Sequence, residues 1–232
     1  MTEGTRARLE RQITLIGEEA TEKLTSSTVL IAGIGGVGGH AADAIARMGV
    51  GRIILVDNDT VSLSNINRQM VATVDTVGRL KVDVMAERIR AINPDCQVTA
   101  LPMFITKENA AELIERYTPD AVVDCIDNVS AKIAMVCACE EQGRYIFSSM
   151  GTGNKVNGGE LRVADIYSTS GCALARVMRR ELKARGIKSL HVVYSEESRP
   201  AEGRRVPATI AYMPAIAGLL ISEQVMKRLI SF

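Results

Sequence analysis

The sequence predicts an α/β fold with a mainly parallel, doubly wound sheet, and three observations predict it. Short apolar runs alternate with helical stretches from residue 28 to residue 149, the order expected of strand–helix–strand crossovers. The first run ends in Gly33-Ile34-Gly35-Gly36-Val37-Gly38 and the second ends in Asp57. Residues 28–57 together span about 30 residues, the length of one βαβ unit.

The elements follow in order. Residues 5–24 read as a partly amphipathic helical arm, because Leu9, Ile13 and Ile16 recur at near-helical spacing. Residues 29–32 form a strand, 37–48 a helix that stops at Gly49, and 53–56 a second strand. Helix 82–92 ends before Pro94, strand 97–103 follows, and helix 109–117 ends before Pro119. Residues 121–126 are a third strongly apolar strand, 131–142 a helix and 145–149 a strand. The character then changes. Residues 151–160 are rich in glycine and asparagine and read as loop. Residues 161–166 read as a strand, 173–185 as a strongly basic helix and 191–194 as a strand. Residues 195–207 are polar, charged and expected to be mobile. A last strand is expected at 208–212 and a closing helix at 214–229, with Pro214 near its first turn.

Composition narrows the function classes. Hydrophobic residues make up 47% and charged residues 24%, enough apolar material for a proper core. A net charge of +1 predicts no partner by bulk attraction. Residues 176–205 nevertheless carry nine arginines and lysines against four acids, an excess of five. This reads either as a solvated helix face or as a surface for phosphates, RNA included. Five cysteines without a C-x-x-C pair fit neither a disulfide framework nor a four-cysteine zinc site, and point to a reducing cytoplasm. The N-terminus lacks an apolar signal core, and the stretch 215–221 is far short of the ~20 residues of a membrane span, so no membrane partner is expected.

Gly33 to Gly38 match G-x-G-x-x-G between a strand and a helix, the context the motif requires. The first glycine (Gly33) allows the tight turn, Gly35 lets a phosphate approach the backbone, and Gly38 permits close helix–strand packing; Gly36 lies in the same loop. Asp57 lies 19 residues after Gly38, close to the spacing of an acid that binds ribose hydroxyls. A Rossmann-like nucleotide site is therefore expected, with NAD, FAD and ATP still open. The next residues favour ATP. Asp59, Asn65 and Arg68 lie in a polar run, Lys81 comes 13 residues after Arg68, and Asp127-Asn128 follows a strand end. Cations offset triphosphate charge and a carboxylate can hold Mg²⁺, whereas a dehydrogenase needs no such cluster near the adenine half.

These motifs resemble the ubiquitin-activating-like (ThiF/MoeB) superfamily, which includes adenylyltransferases of molybdopterin and thiamine synthesis. The matching segments are Arg8-Leu-Glu-Arg11-Gln12, Gly33 to Gly38, Asp57-x-Asp59, Ser64-Asn65-x-x-Arg68-Gln69, Gly78-x-x-Lys81 and Asp124-x-x-Asp127-Asn128. The resemblance implies ATP and Mg²⁺ as cofactors and a homodimer. It implies that Asp57 binds ribose, that Asn65, Arg68 and Lys81 contact phosphates, that Asp127 holds Mg²⁺, and that Arg11 reaches the partner's site. The chain would be one domain: an arm (1–25), a nucleotide-binding core (26–150) and a C-terminal α+β extension for substrate (151–232). Segments 89–94, 165–176 and 192–196 resemble the branch that dehydrates threonylcarbamoyladenosine in tRNA by adenylating its carboxylate. The other reading is adenylation of a ubiquitin-like sulfur carrier's C-terminus, with a sulfur-relay or cysteine-desulfurase partner; the missing zinc pairs of that branch count against it.

Other residues carry weaker signals. Cys172 is read as a small buried residue near a helix start, with covalent acyl or sulfur transfer as the alternative. Cys137, Cys139 and His40 read as packing residues, and Lys155 as a solvated loop charge.

Overall fold

The computed structural model describes residues 1–197 and 208–231. Helices α1 (Glu3–Ile16) and α2 (Glu18–Ser26) form the arm, which breaks at Gly17. There follow β1 (Thr28–Ala32), α3 (Gly36–Arg47), β2 (Arg52–Val56), α4 (Lys81–Ile92), β3 (Gln97–Leu101), α5 (Lys107–Tyr117), β4 (Ala121–Asp124), α6 (Val129–Glu141) and β5 (Tyr145–Ser149). The second half contributes β6 (Arg162–Asp165), α7 (Ala173–Ala184), β7 (His191–Tyr194) and α8 (Tyr212–Ile230).

The strands make one seven-stranded sheet in the order β3-β2-β1-β4-β5-β7-β6. All pairs are parallel except β6 with β7. The second half is thus built onto the same sheet as the first. Alternation along each strand divides the core in two. Val29, Ile31, Ile53, Leu55, Ala121 and Val123 face α3, α4 and α8. Leu30, Ile54, Val56 and Val122 face α5 and α6. Both faces are apolar, as a covered parallel sheet requires. Among the described residues no helix is long and apolar enough to cross a membrane.

The sequence-predicted elements fall within a few residues of these bounds, with two corrections. No strand forms at 208–212: residues 208–210 carry no regular structure, and Tyr212 already opens α8. The edge beside β7 is occupied by β6, and Ala208 instead pairs with Asn154, giving and receiving hydrogen bonds of 2.8 and 2.7 Å. Lys155 is not a solvated charge. It is 6% exposed, and its Nζ donates to the carbonyls of Ser195 (3.0 Å) and Glu197. Of the expected mobile segment, residues 198–207 lie outside the described residues.

Candidate active site

Five parallel strands stop on one line. Leu101, Val56, Ala32, Asp124 and Ser148 are register partners across β3-β2-β1-β4-β5. The residues that follow each strand therefore meet along that edge, where they line a cleft of about 530 Å³. In open α/β sheets, ligands bind outside the carboxyl ends of the strands where the strand order reverses, here between β1 and β4.

The glycine loop turns at this point. Gly33 has φ 88°, and a Cβ there would lie 2.6 Å from the Cys125 carbonyl oxygen. A Cβ on Gly38 would collide with the Gly33 carbonyl oxygen. Gly33, Gly35 and Gly36 line the cleft, whereas Gly38 is buried behind them. Helix α3 begins at Gly36, so the unpaired N–H groups of its first turn lie at the cleft.

Asp57 closes β2 and is tied to the loop. Its Oδ2 accepts from the Ile34 N–H (2.6 Å) and its Oδ1 from the Asp59 N–H (2.8 Å). Burial pushes its carboxyl above the ordinary aspartate value, against the pull of these two hydrogen bonds and of Lys81. Lys81, the first residue of α4, is 5% exposed, and its Nζ lies 2.7 Å from Asp59 Oδ2. Arg68 donates to the Ser64 carbonyl (2.8 Å) and to Asn67 Oδ1 (2.9 Å). Beside it, buried Gln69 leaves Oε1 without a partner among the described residues. Asp127 lines the cleft and is exposed, with no hydrogen bond or ion pair among the described residues.

The structure brings Gly33, Gly35, Gly36, Asp57, Asp59, Arg68, Lys81 and Asp127 into one cleft. It does not bring in the rest. The Asn65 Oδ1 accepts from the Ser62 N–H (3.1 Å) in a capping box, and the Asn128 Oδ1 caps α6 through the Ala131 N–H (3.0 Å). Arg11 lies on α1, which packs at the far end of α3: Gln12 donates to the Met48 carbonyl (3.0 Å). Helix α3 starts at the cleft and runs 12 residues away from it, about 18 Å of rise, so Arg11 stands well away from its own chain's site.

The sequence reading passed over several cleft residues. Met103, Phe104 and Ile105 follow β3, Ser149 ends β5 and Met150 to Gly153 follow it, and Thr209 and Pro214 approach from the C-terminal part. It also missed Lys132. This lysine on α6 is fully buried, and its Nζ donates to Asp124 Oδ2 (2.8 Å) and the Ser149 carbonyl (3.0 Å). Ser148 Oγ donates to the same carboxylate oxygen (2.6 Å), and the Ile126 N–H to the other (3.1 Å). The network pins the ends of β4 and β5, and with them the segments bearing Asp127 and residues 149–153. A signal was present: a lysine in the otherwise apolar run 131–139 must find a partner.

The arrangement suits nucleotide phosphates. Helix N–H groups, Arg68 and Lys81 attract anions, and the Gln69 Oε1 and Asp127 have no partner among the described residues. Of the three cleft carboxylates, Asp57 and Asp59 are engaged within the protein and Asp127 alone has no partner among the described residues; one such carboxylate fits Mg²⁺, which keeps its waters and is held by one or two carboxylates plus phosphate oxygens.

A Rossmann-like sheet with a glycine loop and two cations lining the cleft marks a nucleotide-binding class of protein, and the chain belongs to the ThiF family, whose model matches residues 9–232. It is 39% identical to the tRNA threonylcarbamoyladenosine dehydratase of Bacillus subtilis, covering 93% of this chain and 91% of that one. It is 37% identical to dehydratase 2 of Saccharomyces cerevisiae, of which it spans 46%. Among solved structures it resembles the Escherichia coli tRNA N6-threonylcarbamoyladenosine dehydratase TcdA in complex with ATP, with a TM-score of 0.93, 32% identity, and 99% and 96% of the two chains covered.

Proposed function

We propose that this chain is an ATP-dependent tRNA threonylcarbamoyladenosine dehydratase. The observation that carries the reading is the single cleft that gathers the glycine loop, Asp57, Arg68, Lys81 and Asp127, in a chain so similar to named dehydratases. The threonine carboxylate of the modified adenosine attacks the α-phosphate of ATP. The bond to the β-phosphate breaks, leaving an acyl-adenylate and pyrophosphate. The neighbouring carbamoyl group then closes on the activated carbonyl and expels AMP.

The protein's own work is positioning and charge neutralisation. Asp57 accepts the ribose hydroxyls. Arg68, Lys81 and the α3 amides take phosphate charge, with Asn65 supporting the segment that carries Arg68. Lys81 must loosen its hold on Asp59 to do so. Asp127, with Asn128 fixing the start of α6, would hold Mg²⁺, which offsets charge on the phosphates. Ring closure is intramolecular, and good orientation contributes roughly 7–11 kcal/mol of barrier lowering. No enzyme nucleophile is required.

The surroundings support this reading over adenylation of a sulfur carrier. Cys172 is only 7% exposed at the start of α7, withdrawn from an incoming acyl group, so a sulfur-relay or cysteine-desulfurase partner gains no accessible thiol there. Helix α7 buries Ala175, Met178 and Leu182 and exposes Arg176, Arg180 and Lys183, and Leu174 at its start lines the cleft. A basic face leading away from the site suits tRNA phosphates. We place the reaction in the cytoplasm, where tRNA and ATP meet, and in a homodimer to which Arg11 contributes across the interface.

The test is AMP and pyrophosphate release with Mg-ATP, comparing threonylcarbamoyl-modified tRNA with the same tRNA lacking the modification. Release with the modified tRNA alone, with loss of one water from the nucleoside by mass, is expected. Release that ignores the modification, or no release from either, overturns the assignment.

A further inference from the structure

The β5 end of the cleft is shaped by a clasp that lies outside it. Residues 150–153 line the cleft beyond β5. The residues after them leave the cleft and grip two other segments. Asn154, at φ 56°, donates its N–H to the Ala208 carbonyl (2.7 Å), and its Oδ1 accepts from the Ala208 N–H (2.8 Å). Lys155 Nζ donates to the carbonyls of Ser195 (3.0 Å) and Glu197. Glu197 Oε2 accepts in return from the N–H groups of Val156 and Asn157 (2.9 Å each). The Val156 carbonyl accepts from the Tyr212 hydroxyl (2.7 Å). One short stretch thus holds both the chain just after β7 and the chain that leads into α8.

Lys155 is the centre of this clasp and does not itself line the cleft. A buried ammonium group needs strong acceptors to offset its lost hydration, and the two carbonyls beyond β7 supply them. The acceptors are themselves held: Ser195 is fully buried, and its Oγ accepts from the Glu197 N–H (3.1 Å). The restraint reaches the cleft from two directions, because Gly153 precedes Asn154 and Thr209 follows Ala208, and both line it. Residues 150–153 stand at the opposite end of the cleft from Asp57. Strands β1 and β4 separate β2 from β5, which makes roughly 14 Å of sheet.

We propose that Lys155 is a positioning residue for the acceptor substrate, acting through Glu197 and the loop it fastens. With the nucleotide's ribose at Asp57, the β5 end of the cleft is left for the threonylcarbamoyl group of the tRNA. The clasp holds residues 150–153 and Thr209 around the place where that group's carboxylate meets the α-phosphate. The inference rests on the dehydratase reading above.

Lys155→Met removes the ammonium and keeps the length of the side chain. Glu197→Ala removes the carboxylate and leaves Lys155 both of its carbonyl acceptors. Each variant is assayed for dehydration of threonylcarbamoyl-modified tRNA at saturating Mg-ATP, beside Mg-ATP binding by equilibrium dialysis and the unfolding midpoint. In both, kcat should fall about ten- to a hundredfold, since a misplacement of about 1 Å costs up to that much, while KM for the tRNA and the Mg-ATP dissociation constant stay within about twofold of wild type. The double variant should be no slower than the slower single one, because the two residues act through one clasp. Wild-type kcat in Lys155→Met overturns the proposal and leaves the dehydratase reading standing. A loss of Mg-ATP affinity equal to the loss of kcat also overturns it, since the whole site has then loosened, and so do losses that multiply in the double variant. Glu197→Ala carries the same kcat and affinity tests where Lys155→Met does not fold. No turnover of modified tRNA by the wild type removes the dehydratase reading and this proposal with it.

Discussion

Asp57 pairs two roles that pull against each other. Burial raises its carboxyl pKa, so the folded chain holds that proton to a higher pH than the unfolded chain does. Between the two pKa values the folded state binds more protons, and this residue's contribution to stability falls as pH rises through that window. Ribose hydroxyls need the ionised form as acceptor, so nucleotide affinity should instead fall as pH drops through the folded pKa. Measured for wild type and Asp57→Asn side by side, which cancels the nucleotide's own titration, AMP affinity should show an acid limb in the wild type alone. A limb of equal size in both proteins would show that Asp57 does not accept from the ligand as a carboxylate. Asp57 was legible in the sequence because its spacing from the glycines is fixed by one βαβ unit. Phe104 was not, because a residue three positions beyond a strand end carries no periodic signal, and only the register of β3 with β2 brings it to the cleft.

At the scale of elements, α6 shows how a helix can be held by one charge. Lys132 and Asp124 are both fully buried, 2.8 Å apart. Lys132→Met leaves the carboxylate buried and unpaired, which should cost about 3–5 kcal/mol. Urea unfolding measures this directly. The double variant Lys132→Met with Asp124→Leu should recover much of the loss, because neither charge remains; a loss equal to the sum of the single variants would mean that the two residues act separately. The elements themselves were largely legible, since buried parallel strands are apolar runs and their crossovers are amphipathic. The 208–212 segment misled because a short apolar run can be strand or coil, and competition for the sheet edge is settled by β6, far away in sequence. Lys155 misled for a related reason: its acceptors, the carbonyls of Ser195 and Glu197, lie about forty residues downstream and reach it only through the fold.

At the scale of the whole molecule, the proposed homodimer is testable through Arg11. Arg11 is exposed on α1, at the far end of α3 from its own cleft. If it serves a partner, Arg11→Ala and Asp57→Ala should each lose most adenylation activity, and mixing them should restore part of it. Each mixed dimer would hold one site with both residues intact, and thus about half of the mixed dimers' sites. The assay is ATP–pyrophosphate exchange on mixtures in which mass spectrometry shows mixed dimers, and an absence of recovery in such mixtures would rule out a role across the interface.

The arm that bears Arg11 is fastened to its own chain. Leu9 is buried, and Arg8 donates to the Ile92 carbonyl (3.2 Å) and Asn93 Oδ1 (3.0 Å) and pairs with Asp95 (2.7 Å), which Thr2 and Thr5 also contact. Nothing in this attachment waits for a second subunit. In the proposed homodimer two such chains would meet as finished bodies rather than by trading arms, and association would be an equilibrium separate from folding. The cell could then set the share of complete sites by protein concentration alone, with each idle monomer remaining a folded reserve.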